Sequence, residues 1–166
     1  MVDWQTLPEV QICSRLEVGR LLESLASPED LALFVSIGDP DDPLPDGYDR
    51  IVEPLRLHFL DADDDRGASE EDILRIIAAG RELRSGTARV VLHCWEGISR
   101  STAAAIILLA SAMGRGHESD VVSRIFSLRA VARPNQRMIR LADALLQCDG
   151  ALIHAIEAHG VRTHLD

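Results

Sequence analysis

The most informative residues are Cys94, Gly97, Arg100 and Ser101, which fall within the segment HCWEGISRST at positions 93–102. A cysteine thiolate is a strong nucleophile. The planar guanidinium of an arginine can hold two phosphate oxygens at once, which a lysine cannot do. A cysteine followed at this spacing by a glycine, an arginine and a hydroxyl group indicates chemistry on a phosphate ester.

The flanking sequence indicates how this segment is folded. An apolar, β-branched run at 89–92 precedes it, and an apolar helical pattern at 103–113 follows it. Cys94 therefore lies where a buried strand turns into a helix. The N–H groups of such a loop and of the first helical turn point inward, and the helix dipole adds positive charge. We therefore predict a phosphate-binding loop at residues 94–99.

Within this loop, Cys94 is predicted to be the nucleophile. A thiol at a helix N-terminus beside a cation ionises readily, and the hydroxyl of Ser101 can donate to the resulting thiolate. The alternative is that Cys94 is only a small buried apolar residue. That alternative does not explain why Gly97 and Arg100 follow Cys94 at the spacing that a phosphate-binding loop requires. The N–H groups predicted to bind the phosphate oxygens are those of Trp95, Glu96, Gly97, Ile98, Ser99 and Arg100.

Three segments of the chain resemble one enzyme family. Residues 93–102 are similar to the HCxxGxxR[ST] signature of the cysteine-dependent protein tyrosine and dual-specificity phosphatases, in particular the small bacterial members. Residues 55–61, LRLHFLD, resemble the strand that leads to the acid loop of that family. Residues 132–138, ARPNQRM, resemble its Pro-Asn segment, which opens a later helix. The resemblance implies a phosphocysteine mechanism without metal or cofactor.

The aspartates at 61–65 are candidates for the general acid that this family uses. They follow a predicted strand and lie about thirty residues before Cys94, where the resembled family places its acid. Protonation of the leaving oxygen is worth about 10²–10⁴ in rate. Asp61 is our first choice, because it ends an alternation of residues that the resembled bacterial phosphatases share. Asp63 is the alternative acid.

The resemblance also assigns supporting roles. His93 is expected to orient the phosphate-binding loop and Cys94. Asn135 is expected to form a hydrogen bond with the backbone near that loop. At Glu96 the sequence departs from the family, because many members have a small residue there. A carboxylate at the mouth of an anion site would weaken the binding of acidic substrates.

The remaining sequence favours one compact enzyme domain over residues 1–166. The pattern alternates between strands and helices, which predicts an α/β fold with a mainly parallel sheet flanked by helices. The predicted strands are 10–13, 31–37, 55–60 and 90–93, the predicted helices begin near 15 and 69, and up to four more follow from position 103. Residues 38–49 contain three prolines and five aspartates, and we expect a solvated connector rather than a wall of the cleft.

The composition restricts the cellular compartments and the binding partners that we expect for this protein. The three cysteines of this 166-residue chain are widely spaced, which indicates neither a disulfide framework nor a zinc site. The sequence begins without the pattern of a signal peptide and has no membrane-length apolar run, so we expect a cytoplasmic protein. The net charge of −10 argues against nucleic acid as a partner. The expected partner is a phosphoprotein substrate.

Other functions remain open from the sequence. A rhodanese-like sulfurtransferase and an arsenate reductase also use a cysteine in an anion loop. The pair Arg100-Ser101 disfavours the first, and the lack of nearby partner cysteines disfavours the second. A phosphatase of phosphoinositides or other small phosphoesters is a further alternative. So is a phosphate-dependent binding module with weak catalysis.

Overall fold

Four parallel strands form the sheet of this protein. The computed structural model describes residues 3–161. The strands are β1 (Val10–Cys13), β2 (Leu31–Gly38), β3 (Leu55–His58) and β4 (Arg89–His93). They lie in the order β1-β4-β2-β3, and every neighbouring pair is parallel. The predicted α/β fold with a mainly parallel sheet is confirmed.

Helices cover both faces of the sheet. In chain order they are α1 (Arg15–Ser24), α2 (Glu70–Glu82), α3 (Arg100–Met113), α4 (Glu118–Leu128), α5 (Gln136–Leu145) and α6 (Ala151–Glu157). The predicted helix start at position 69 is confirmed, because Ser69 and Asp72 form a capping box at the N-terminus of α2. None of the helices within 3–161 combines the length and the apolar character needed to cross a membrane.

The sheet separates two unequal apolar cores. Val90 and Leu92 of β4 face a large core that also contains residues of α2 to α6, whereas Val91 faces a small core under α1. This alternation is the period of two that a strand imposes. Helix α3 lies inside the large core and is buried on almost every side, which explains its run of small and apolar residues.

The carboxyl ends of three strands lie at one edge of the sheet. β3 was predicted to reach residue 60 but stops at His58. There the chain turns away: the N–H of Phe59 donates to the carbonyl of Gly38, and the N–H of Leu60 donates to the carbonyl of Arg66. The carboxyl ends of β2, β3 and β4 therefore bring residues 39–42, 59–67 and 94–99 to one edge, as parallel α/β sheets do around their ligand sites.

Candidate active site

An open cleft of about 540 Å³ lies at this edge of the sheet. Cys94, Arg100 and Asp61 all line it, although Asp61 is distant from the other two in the sequence. Asp39 and Glu96 line the same cleft. The structure thus brings the predicted nucleophile, arginine and acid to one surface. Their roles in catalysis stay predictions.

The sulfur of Cys94 lies at the start of α3 and is almost fully buried, with only 3% of the residue exposed. The N–H of Gly97 donates to it at 3.3 Å, and the hydroxyl oxygen of Ser101 lies 3.2 Å away. Both contacts stabilise a negative charge on sulfur when the hydroxyl acts as donor. The sulfur therefore has the hydrogen-bond partners that a thiolate nucleophile needs.

Gly97 allows the phosphate-binding loop its tight turn. Its φ of +70° lies in the left-handed region that L side chains rarely adopt. A Cβ at this position would also lie 2.6 Å from the backbone carbon of Cys13. Only glycine satisfies both conditions, and this accounts for its place in the motif.

The guanidinium of Arg100 lies in the cleft and is held from one side. Its Nη1 donates to Oδ1 of Asp39 at 2.6 Å and to the carbonyl of Phe59 at 2.7 Å. Asp39 belongs to residues 38–49, which were expected to be only a solvated connector. That expectation was wrong, because Asp39 and Asp42 form part of the cleft wall. No sequence pattern pairs Asp39 with an arginine 61 residues away.

The candidate acid Asp61 is tied to two other elements. Its Oδ1 accepts hydrogen bonds from the hydroxyl of Ser99 at 2.7 Å and from the side-chain amide of Asn135 at 2.8 Å. The alternative acid Asp63 is directed elsewhere: its Oδ1 accepts from the N–H of Arg137 at the start of α5. Asp63 lines a neighbouring groove rather than the cleft of Cys94.

Asn135 links the start of α5 to both loops. Its backbone N–H donates to the carbonyl of Ser99, which is the backbone contact near the phosphate-binding loop that we expected. Its side chain has different partners. The side-chain oxygen caps α5 by accepting from the N–H of Met138, and the amide donates to Asp61. Asn135 therefore holds the acid loop, residues 59–67, as well as its own helix.

His93 is buried at the end of β4 within a chain of hydrogen bonds. Arg56 donates to the hydroxyl oxygen of Ser36, which lies 2.6 Å from Nε2 of His93. Nδ1 lies 3.2 Å from the carbonyl of Cys94. Burial lowers the pKa of His93 to about 4, with a smaller contribution from nearby arginines, so the ring is neutral at pH 7. A neutral ring completes the chain if Ser36 donates to Nε2 and Nδ1–H donates to Cys94.

Arg129 supports the phosphate-binding loop from outside and was missed in the sequence. Its Nε donates to the carbonyl of Gly97 at 3.0 Å, and its two terminal nitrogens bind Glu17 at 3.1 and 2.9 Å. The hydrogen bonds from Arg129 and Ser14 lower the pKa of Glu17 to about 2. The carbonyl of Gly97 and the N–H of Ile98 belong to the same trans peptide and point in opposite directions, so the contact with Arg129 also orients the N–H of Ile98. No short motif connects residues 112 positions apart.

The other residues of the loop lie at its mouth. Glu96 is exposed and lines the cleft. Trp95 is half-exposed, and the guanidinium of Arg15 lies 5.4 Å from the centre of its ring. Neither of the two remaining cysteines lines the cleft. Burial raises the pKa of Cys13 to about 11 and that of Cys148 to about 12. Both thiols therefore stay protonated and unreactive near neutral pH.

Comparisons with known proteins identify the architecture. No protein-family model matches this sequence, and no curated protein matches it either. Among solved structures, that of DUSP15 has a TM-score of 0.60 at 19% identity and covers 92% of this chain and 93% of its own. The structure of human DUSP28 has a TM-score of 0.55 at 16% identity and covers 90% of this chain and 94% of its own. The structure of Tk-PTP in the active form has a TM-score of 0.55 at 19% identity and covers 87% of this chain and 99% of its own. The chain has the fold of the dual-specificity phosphatases.

Proposed function

We propose that this protein is a cysteine-dependent protein phosphatase that hydrolyses phosphotyrosine through a phosphocysteine intermediate. The observation that supports this most strongly is the cleft that Cys94, Arg100 and Asp61 share. A nucleophile, an anion-binding guanidinium and a carboxylate in one cleft are the three parts that hydrolysis of a phosphate monoester requires. The fold shared with dual-specificity phosphatases agrees with this proposal.

In the first step, the thiolate of Cys94 attacks phosphorus on the side opposite the ester oxygen. The S–P bond forms as the P–O bond to tyrosine breaks. Arg100 and the N–H groups of the phosphate-binding loop stabilise the equatorial oxygens. Asp61, protonated at the start, transfers its proton to the phenolate oxygen as it leaves.

In the second step, water hydrolyses the phosphocysteine. Water attacks phosphorus, and the carboxylate of Asp61 accepts its proton. The S–P bond breaks, inorganic phosphate is released and the thiolate of Cys94 returns. The hydroxyl of Ser101, 3.2 Å from the sulfur, stabilises the thiolate as the leaving group.

The walls of the cleft favour a phosphoprotein over a more highly charged substrate. Asp39, Asp42 and Glu96 line it, and their charges oppose the binding of a polyphosphorylated headgroup. Phosphoserine and phosphothreonine remain candidate substrates beside phosphotyrosine. We place the enzyme in the cytoplasm, because its three free cysteines suit a reducing compartment.

The test is a turnover assay of the purified protein with a chelator present. The substrates are a phosphotyrosine peptide, a matched phosphoserine peptide and a phosphoinositide. Wild-type protein should hydrolyse the phosphotyrosine peptide. Cys94→Ser should abolish turnover and still bind phosphate, whereas Cys148→Ala, a control at a buried cysteine outside the cleft, should remain active. Arg100→Lys should lose most activity, because a lysine cannot form the bidentate contact.

Two results would contradict the proposal. Substantial turnover by Cys94→Ser would exclude the covalent mechanism. Binding of the phosphopeptide without turnover by the wild type would instead favour a phosphate-dependent binding module.

A further inference from the structure

Asp39 has no role in the two steps described above, yet it makes the shortest contact to Arg100. We propose that Asp39 is a positioning residue, which holds Nη1 of Arg100 so that the opposite edge of the guanidinium, Nε and Nη2, faces the phosphate. This inference rests on the proposed function, because it concerns the same cleft.

The pattern of used and unused N–H groups on the guanidinium of Arg100 supports this role. The group has five N–H bonds, two of them on Nη1. Asp39 and the carbonyl of Phe59 accept at 2.6 and 2.7 Å, which uses both N–H bonds of that nitrogen. Within residues 3–161, Nε is buried and has no hydrogen-bond partner. The Nε–Nη2 edge has the two parallel N–H groups that bind a phosphate in bidentate fashion.

The two acceptors are themselves fixed by the ends of β2 and β3. The N–H of Phe59 donates to the carbonyl of Gly38 at 3.1 Å, which holds Phe59 beside the residue that precedes Asp39. Asp39 and Asp42 form a turn: the N–H of Asp39 donates to Oδ2 of Asp42 at 2.8 Å, and the N–H of Asp42 donates to the carbonyl of Asp39 at 3.0 Å. Hydrogen bonds at the ends of β2 and β3 therefore hold the backbone of both residues that accept from Nη1.

The charge of Asp39 has two opposing effects. Arg100 is only 4% exposed, and a buried guanidinium without a counter-charge is costly. Asp39 supplies that charge while its own side chain remains 44% exposed. The same carboxylate repels a phosphate dianion, although solvent reduces this repulsion. An experiment must therefore separate the position of the acceptor oxygen from its charge.

The variants Asp39→Asn and Asp39→Ala make this separation. Both remove the charge, but only asparagine keeps an oxygen that can accept from Nη1. We expect kcat of Asp39→Ala to lie about 10- to 100-fold below that of Asp39→Asn, because a misplaced Arg100 guanidinium stabilises the transition state less well. KM should differ less between the two variants. Asp41→Asn, which removes an exposed charge from the same loop, is the control and should match the wild type.

Binding of inorganic phosphate, measured by calorimetry, gives a readout that does not require turnover. Phosphate should bind more weakly to Asp39→Ala than to Asp39→Asn. In an Arg100→Lys background, this difference should disappear, because Asp39 acts only through the guanidinium. Melting temperatures of all variants show whether a loss of kcat reflects partial unfolding.

The positioning role is overturned if the two Asp39 variants have equal kcat and equal phosphate affinity. It is also overturned if their difference persists in the Arg100→Lys background, or if the wild type binds no phosphate. A wild type that binds phosphate but has no turnover would contradict the proposed function alone. The phosphate affinities of the two Asp39 variants would then decide the inference.

Discussion

The hydroxyl of Ser99 donates a hydrogen bond of 2.7 Å to the carboxylate of Asp61, and this bond joins the phosphate-binding loop to the acid loop. Asn135 donates to the same oxygen, Oδ1, at 2.8 Å. Because both bonds end on Oδ1, the proton that a general acid delivers would be carried on Oδ2. The predicted phosphate-binding loop and the start of α5 together set the position of the candidate acid.

The first prediction concerns which aspartate is the acid. Asp61→Asn should lower kcat for a phosphotyrosine peptide by about 10²–10⁴, because asparagine cannot protonate the leaving oxygen. Asp63→Asn should have a small effect, because Asp63 faces the start of α5. Asp64→Asn, which breaks an exposed ion pair with Arg66, is the control. Steady-state kinetics of the three variants test the order of their losses in kcat. A larger loss in Asp63→Asn than in Asp61→Asn would assign the general acid to Asp63.

The second prediction concerns Asn135. Asn135→Ser should lower kcat by up to about 10²-fold, because serine is too short to hold Asp61 in place. Serine is also a good N-cap, so the stability of α5 should change little. Asn135→Ala should show the same kinetic loss and, in addition, lose about 1 kcal/mol of stability with the cap. Kinetics and urea unfolding of both variants separate the two roles, and unchanged kcat in both would contradict the link to Asp61.

The third prediction uses two glycines with positive φ. Gly114→Ala, where φ is +82° and no atom would lie within 4 Å of the new Cβ, should lose about 1–3 kcal/mol from backbone strain alone. Gly97→Ala has the same kind of strain, but its Cβ would also lie 2.6 Å from the backbone of Cys13. We expect a larger loss of stability and a loss of phosphate binding. Urea unfolding and phosphate calorimetry measure these effects, and equal stability losses would refute the steric argument.

The fourth prediction is a pH dependence caused by His93. Its pKa in the folded protein is about 4, below the ordinary value of 6.5, because burial disfavours the charged ring. Between these two values the unfolded chain binds a proton that the folded chain does not. The free energy of unfolding therefore rises as the pH increases from about 4 to about 6.5. At about 1.4 kcal/mol per pKa unit, the contribution is on the order of 3 kcal/mol.

The measurement is urea unfolding of the wild type and His93→Gln between pH 4 and pH 8. The variant should be less stable at pH 7, because glutamine cannot reproduce both contacts of the ring. Its stability should also depend less on pH than that of the wild type over the range that His93 titrates. His154→Gln, which replaces an exposed histidine, is the control for the substitution itself. Equal slopes for the wild type and His93→Gln would refute the assignment.

Local patterns in the sequence were sufficient to predict a parallel sheet, the helix start at Ser69 and the position of Cys94 between a strand and a helix. A parallel strand that is buried on both faces has a continuous apolar run, as at Val90 to Leu92, and a capping box marks a helix start such as Ser69. The strand, the loop and the helix around Cys94 are contiguous, so one short segment predicts the whole arrangement. Contacts within one segment can be deduced from spacing alone.

The partners of the site could not be predicted in the same way. Asp39 reaches Arg100 because β2 and β4 are neighbours in the sheet, although they are far apart in the sequence. Arg129 reaches Gly97 and Glu17 because the segment after α4 returns beside the phosphate-binding loop. In the sequence, nothing distinguishes an aspartate in a loop or an arginine after a helix from ordinary surface charges. Their roles follow only from the packing of distant elements.

The last prediction concerns Glu96, where the sequence departs from the phosphatase signature that it resembles. This exposed residue lines the cleft, and a phosphopeptide bound there would bring its flanking residues near this carboxylate. Coulomb repulsion should make peptides with acidic flanks poorer substrates than peptides with basic flanks, and more so at low salt, because salt screens exposed charges. Glu96→Ala should raise kcat/KM for the acidic peptide and lower it for the basic one. Kinetics with both peptides at low and high salt measure this, and an equal effect of Glu96→Ala on the two peptides would show that Glu96 has no part in selecting the substrate.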